Sequence, residues 1–383
     1  MNTPTSDELL LPPRARLLLI GPMKTGTTSV QLGAHRRRKA LLENGVRYPG
    51  NAPNQRRPLG ALMGWAVNTW SRRRPLGPDL LDRDDVNGIP PASDWTSLKE
   101  EIDADQERRI FLTHEFVSQV DDDTARRIVD AIGPRVHIAI TLRAPGQIVP
   151  SLWAQSVRDD AQIEPYDRWI ERFFGRVPDQ PLSPRYQRAY QQADLVDRWS
   201  RLVGPEKVTV TIVDKTRPTL LTDTFEAMLG LPSGMLRVER SNDSLMAVDA
   251  ELFRRVNIIL RDRNALWTTF QALVWQGAIK LGPERREVGA DERRVVLPPW
   301  AAQIANADGA RFADALRQSP VRVVGNVENL ATKVGSAPWD PIDTVPIDIA
   351  AEAVAGAVLA GQKARESLKK EVADLKAQVA KLS

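Results

Sequence analysis

The chain of 383 residues contains no cysteine and only three histidines. The first absence excludes disulfides, thiolate nucleophiles and cysteine-ligated zinc together. The second leaves His35, His114 and His137 with no H-x-x-x-H pair, which argues against a zinc-dependent mechanism. Apolar runs of the ~18 residues that would suggest a bilayer span are absent as well. The amino end opens on polar and acidic residues instead of a basic segment followed by an apolar stretch, so a soluble, cytoplasmic protein is expected. No recognised nucleic-acid module is present, and 49 acidic residues nearly balance 53 basic ones, so nucleic acid is not an expected partner. The remaining excess of +4 suits an anionic ligand. With 42% hydrophobic residues the chain can build a real core, as one large α/β domain with insertions or as two smaller units.

The most informative segment is Gly21-Pro22-Met23-Lys24-Thr25-Gly26-Thr27-Thr28-Ser29. Before it, Ala15 to Ile20 is short and apolar and reads as a buried parallel strand. After it, Val30, Ala34 and Leu41 share one face of a helix expected to run to about Asn44, with Gly45 as its stop. Strand, glycine-bearing turn and helix in that order build an anion site, because the amide groups at a helix amino end lack intrahelical partners and sit at the positive end of the dipole. Hydroxyls of Thr25, Thr27, Thr28 and Ser29 are further donors.

A nucleoside-triphosphate loop would read G-x-x-x-x-G-K-[ST]. Here Gly21 and Gly26 keep the spacing, but Thr27 follows the second glycine and the lysine lies inside the loop at position 24. The P-x-K-T-G-T-T-S stretch instead resembles the phosphosulfate loop of sulfotransferases that use 3′-phosphoadenosine 5′-phosphosulfate (PAPS). That resemblance implies that Lys24 contacts the oxygen bridging phosphate and sulfate, where charge develops as the S–O bond breaks. Help at that atom is greater in the transition state than in the ground state. Thr25, Gly26, Thr27 and Thr28 would bind the same group.

Two further segments carry the resemblance. Val136 to Leu142 is a near-continuous apolar run followed by Arg143 and, eight residues later, Ser151. In the family this pair holds the 3′-phosphate, and a guanidinium with a hydroxyl is sound chemistry for that purpose. Pro150 is expected to delay the start of the following helix or to kink it. Ile110 to Thr113 reads as another buried strand, ending at His114-Glu115, and the family places an acid/base residue there. His114 is the first candidate and Glu115 the second; a histidine near its ordinary pKa of ~6.5 suits deprotonation of an alcohol. His35 and His137 read as structural or solvent-facing.

The implied fold is α/β and P-loop-like, in three layers around a central parallel sheet, with helical insertions. It covers residues 14–335. Asp194 to Val203 and then Lys207 to Val213 add a helix and a strand. Ser241-Asn242-Asp243-Ser244-Leu245 and Val321 to Leu330 resemble the later parts of such domains. Between the first helix and the strand bearing His114, Arg56-Arg57 and Arg72-Arg73-Arg74 with Trp65 and Trp70 could shape an acceptor pocket or form a solvated loop. Residues 348–383 read as a separate C-terminal helix. Leu368, Val372, Leu375, Val379 and Leu382 repeat at intervals of four and three, as in a short coiled coil that could join copies of the chain.

The activity implied is sulfuryl transfer from PAPS to an acceptor hydroxyl, without a metal; a carbohydrate, a glycolipid or a small-molecule alcohol would each fit, with a bacterial glycan as the first candidate. Two alternatives stay open. A phosphotransferase with a deviant loop would need a Mg²⁺-binding carboxylate after a strand, for which Asp214 is the candidate. A non-catalytic scaffold would keep the nucleotide pocket and assemble through its tail.

Overall fold

The computed structural model describes residues 6–67, 75–76, 88–238, 245–282, 289 and 292–382. Trp70, Arg72 to Arg74, Ser241 to Ser244 and Arg285-Arg286 lie outside the described residues. Six strands form one sheet: β1 (Arg16–Leu19), β2 (Val46–Arg47), β3 (Arg109–Thr113), β4 (Val136–Leu142), β5 (Val208–Ile212) and β6 (Arg322–Val324). Their order is β2-β3-β1-β4-β5-β6, with every pairing parallel. A parallel neighbour can be reached only by a crossover, so helices return the chain between strands and cover both faces.

Alternation along the strands feeds two separate cores. Leu18 and Ile20, Ile110 and Leu112, Ile138, Ile140 and Leu142, and Val208, Val210 and Ile212 point to one face. They meet helices 92–104, 122–132, 192–203 and 299–318 through residues such as Ile102, Ile128, Trp199 and Phe312. Leu17, Leu19, Phe111 and Ala139 point the other way, against Val30 and Ala34 and against Phe225, Met228 and Leu229 of the Leu220–Leu229 helix. This is the three-layer α/β arrangement. A third core is almost wholly helical and gathers Trp153, Trp169, Phe173, Phe253, Trp267 and Phe270.

Two local expectations need correction, and the reading of His137 narrows to its structural alternative. The helix after the loop is two helices, Thr27–Arg36 and Arg38–Glu43, because Arg37 leaves helical geometry at φ −119°. The break lets the Arg38 guanidinium turn to donate to the Tyr48 carbonyl at 3.1 Å. Val30, Ala34 and Leu41 remain fully buried across it. Pro150 does not delay its helix, which starts at Pro145 and runs to Asp159 with Pro150 buried inside. Pro145 sits in the first turn, where a missing amide proton is harmless, and fixes the start there. His137 is buried inside the fold, its Nε2 2.9 Å from the Thr209 hydroxyl, and burial first, then Arg322 and Lys207, lowers its pKa to about 4.

The C-terminal helix runs from Ile347 to Leu382. No helix among the described residues is long and apolar enough to cross a membrane.

Candidate functional site

Parallel strands present all their carboxyl ends at one edge, and a ligand site forms where consecutive connections leave in opposite directions. Here that place is β1. The chain moves from it to β2 and β3 on one side, then crosses to β4, β5 and β6 on the other. Four segments therefore converge: the 21–26 loop after β1, His114-Glu115 after β3, Arg143 after β4 and Asp214-Lys215 after β5. Lys24, Gly26, Thr27, Thr28, Glu115, Arg143, Asp214 and Lys215 line a single cavity of about 710 Å³.

The loop is held by contacts that require small residues. A β-carbon on Gly21 would lie 1.7 Å from the Thr141 hydroxyl oxygen. Thr141 fills that space because it points from β4 to the loop side, where its hydroxyl meets that of Thr25 at 2.6 Å. Thr25 also donates to the Pro22 carbonyl at 2.6 Å, so its hydroxyl is engaged inside the loop and buried. Gly26 adopts φ +89° at the start of the Thr27–Arg36 helix, a conformation glycine takes without strain. Thr27 and Thr28 follow it along the cavity wall, while the Ser29 hydroxyl donates to the Gly26 carbonyl at 2.8 Å.

Lys24 itself lies at φ +67°. For a residue with a β-carbon the left-handed region costs about 1–2 kcal/mol, and such outliers cluster at functional positions. Its ammonium is also electrostatically uncomfortable. Burial first, then the positive charge of Arg158 and Arg143, lowers its pKa to about 8, with only Asp159 opposing. Arg143 is tied to the loop, donating through Nη1 to the Lys24 carbonyl at 3.1 Å and through Nε to Gln147 at 2.9 Å. Arg217 and Arg237 add further positive charge to the cavity wall. Concentrated cations with a depressed lysine describe a pocket shaped for a multiply charged anion.

The histidine and the glutamate occupy different positions. His114 is fully buried and is not among the residues lining the cavity. Its ring meets Phe116 edge-on at 5.1 Å, and its Nδ1 lies 3.8 Å from Glu115 Oε2. Glu115 lines the cavity and accepts from Gln31 Nε2 at 3.0 Å. Desolvation opposes its charge, but His114 and Gln31 together hold the carboxyl well below the usual carboxylate range. Gln31 lies on the helix that begins at the anion loop, so one element serves both halves of the site.

Ser151 stands on the Pro145–Asp159 helix with its hydroxyl donating to the Gln147 carbonyl at 3.3 Å. Together with Arg143, Lys215, Arg294 and Lys333 it lines a second cavity of about 410 Å³. Arg143 and Lys215 border both cavities. Sequence reasoning had no place for Lys215, Arg158, Arg294 or Lys333. The first two were legible: Lys215 follows a parallel strand, and Ser151, Gln155 and Arg158 recur at i, i+4 and i+7 on one helix face. Arg294 and Lys333 arrive from distant sequence and carry no local sign.

Of the residues weighed for an acceptor pocket, Trp65 is buried beneath the Arg185 guanidinium, 4.4 Å from its ring centroid, and Arg57 pairs with Asp94 at 2.8 Å. Arg56 lies over the Phe116 ring at 5.5 Å, with Glu115 among the carboxylates that support its charge. Asp214 accepts from the Thr216 amide at 2.8 Å and hydroxyl at 2.7 Å. Among the described residues no three His, Cys, Asp or Glu side chains are grouped as a metal site.

The structure is similar to that of a sulfotransferase from Alicyclobacillus acidocaldarius, with a TM-score of 0.43 and 18% identity, covering 65% of this chain and 95% of that one. It is also similar to a mouse sulfotransferase complexed with PAP, with a TM-score of 0.32 and 13% identity over 82% and 88% of the two chains. The sequence matches no family model and no curated protein.

Proposed function

We propose that the protein transfers a sulfuryl group from PAPS to the hydroxyl of an acceptor. The observation that carries this reading is the pair of cavities meeting at Arg143, one with the Lys24 loop and Glu115, the other with Ser151 and further cations. A donor with phosphates at two separated positions suits such a pair. Lys24 with Thr27, Thr28 and the amide groups around Gly26 would hold the phosphosulfate end. Arg143 and Ser151, with Lys333 and Arg294 nearby, would hold the 3′-phosphate.

PAPS supplies a sulfur centre bonded to a phosphate leaving group. Lys24 stabilises the charge that forms on the bridging oxygen as that bond breaks, in a site where like charges leave its ammonium short of counter-charge. Glu115 orients the acceptor hydroxyl and takes its proton as the new O–S bond forms. His114 and Gln31 hold that carboxylate in place. We assign the base to Glu115 ahead of His114 because it faces the cavity. A sugar hydroxyl remains the acceptor proposed, on the resemblance of the sequence motifs to glycan-directed relatives.

Calorimetry with adenosine 3′,5′-bisphosphate against ATP and Mg²⁺ tests the donor, and preferential ATP binding would overturn the assignment. Turnover of labelled PAPS with a glycan panel tests the reaction. E115Q is expected to lower kcat by ~10²–10⁴ while leaving nucleotide affinity unchanged. Full activity in that variant would remove Glu115 from the chemistry.

A further inference from the structure

The C-terminal helix has two apolar faces, and only one of them meets the domain. Ala353 and Gly356, with Ala360 one turn on, face the π-helix Phe270–Ile279, and Ile349 is buried a turn earlier. The backbones approach closely: a β-carbon on Gly356 would lie 2.6 Å from the Gly277 carbonyl oxygen, and one on Gly277 would lie 2.7 Å from Ala360 Cβ. This crossing fixes the root of the helix. Two residues away in register, hence on the opposite side, Ile347, Val354 and Val358 are exposed. From Gln362 to Ala380 every side chain is exposed, so the helix leaves the domain altogether. At ~1.5 Å per residue the emergent part extends about 30 Å.

Positions 347, 351, 354, 358, 361, 365, 368, 372, 375, 379 and 382 follow one unbroken alternation of four and three. At Gly361 the frame passes against Leu273 of the domain, so the freely exposed part of the seam runs from Arg365 onward, about two and a half heptads. Eight of the eleven large apolar side chains exposed among the described residues lie on this helix. Leu368, Val372 and Leu375 are 60%, 49% and 54% exposed. With 3-residue steps running from a to d, valines 358, 372 and 379 occupy a, and leucines 368, 375 and 382 occupy d. Val at a with Leu at d favours two parallel strands, and a polar residue at one a position, here Arg365, fixes register and strand number.

Charge identifies the occupant. In a parallel, in-register pair each g residue faces the e′ residue five positions later, which sets Glu371 against Lys376 of the other copy, twice by symmetry. An antiparallel pair would set e against e′, lysines 369 and 376 facing each other. We propose that this helix is the dimerisation element of the protein, joining two copies of this chain as a parallel, in-register, two-stranded coiled coil.

Sedimentation equilibrium of the full chain is expected to give twice 42.7 kDa, and L368K/L375K to give the single-chain mass with an unchanged thermal unfolding of the domain. E371K should weaken the dimer, and E371K/K376E should restore it. Because the chain has no cysteine, L375C supplies a lone thiol pair, and mild oxidation should cross-link it to completion only when both helices run in parallel and in register. A monomeric full chain, a dimer indifferent to L368K/L375K, or an L375C dimer that does not cross-link would each overturn the proposal.

Discussion

Binding of adenosine 3′,5′-bisphosphate should draw a proton from solution at alkaline pH, and Lys24 should be the group that takes it. In the free protein burial and the neighbouring Arg158 and Arg143 lower its pKa from 10.5 to about 8. The charged ammonium is thus disfavoured by about 3 kcal/mol, at 1.36 kcal/mol per pKa unit. An anion in the cavity removes that penalty and returns the pKa towards its ordinary value. Uptake should then be ~0.1 proton at pH 7, ~0.5 at pH 8 and ~0.9 at pH 9, with affinity falling towards tenfold per pH unit above pH 8. The ligand's phosphates, with a second pKa near ~6, are essentially fully ionised from pH 8 upward, so the count is read at pH 8 and pH 9. Calorimetry in buffers of differing ionisation enthalpy measures the proton count directly, and K24M, lacking the group, should lose the difference. The stability of the free protein moves the opposite way with pH. The folded state binds fewer protons than the unfolded chain between about pH 8 and pH 10.5, so this lysine's contribution becomes more favourable as pH rises across that range. Proton-neutral binding at pH 9, or uptake unchanged in K24M, would refute the electrostatic account of the loop.

Two substitutions test how the site is held. G21A forces a β-carbon to within 1.7 Å of the Thr141 hydroxyl oxygen, and the loop must move or Thr141 must leave. A loss of about 1–3 kcal/mol in denaturant unfolding is expected, and G21A/T141A, which vacates the space, should recover part of it; identical stability of G21A and wild type would contradict the packing. Q31M removes the donor 3.0 Å from Glu115, so the carboxyl pKa should rise. The acidic limb of the pH–rate profile should move to higher pH in Q31M, and an unmoved limb would show that Gln31 does not tune the carboxylate.

Local pattern made the central elements of the sheet legible. β4 coincides with Val136 to Leu142, β1 and β5 fall within the segments that suggest them, and β3 begins one residue before Ile110, because strands buried on both faces read as near-continuous runs of apolar and β-branched residues. β2, only Val46–Arg47, and the break at Arg37 gave no such signal. They depend on what the chain packs against. The spacing of glycines around Lys24 was equally plain in the sequence, since a backbone bending round an anion needs residues without side chains at fixed points.

What sequence alone could determine was residue type at local spacing: an anion loop, an arginine and a serine eight apart, a histidine beside a glutamate, and a heptad tail. The tertiary structure decided which of these face a common cavity. Crossing from β3 past β1 to β4 brings Glu115 and Arg143 to the same edge as Lys24. Strand-end geometry buries His114 and leaves Glu115 at the cavity wall. Lys215, Arg294 and Lys333 join because chain separation places no limit on proximity once a sheet and its helices have closed. The tail shows the same division. Its heptad is written in the sequence, but only the crossing at Gly277 and Gly356 shows which face is covered and which is left exposed.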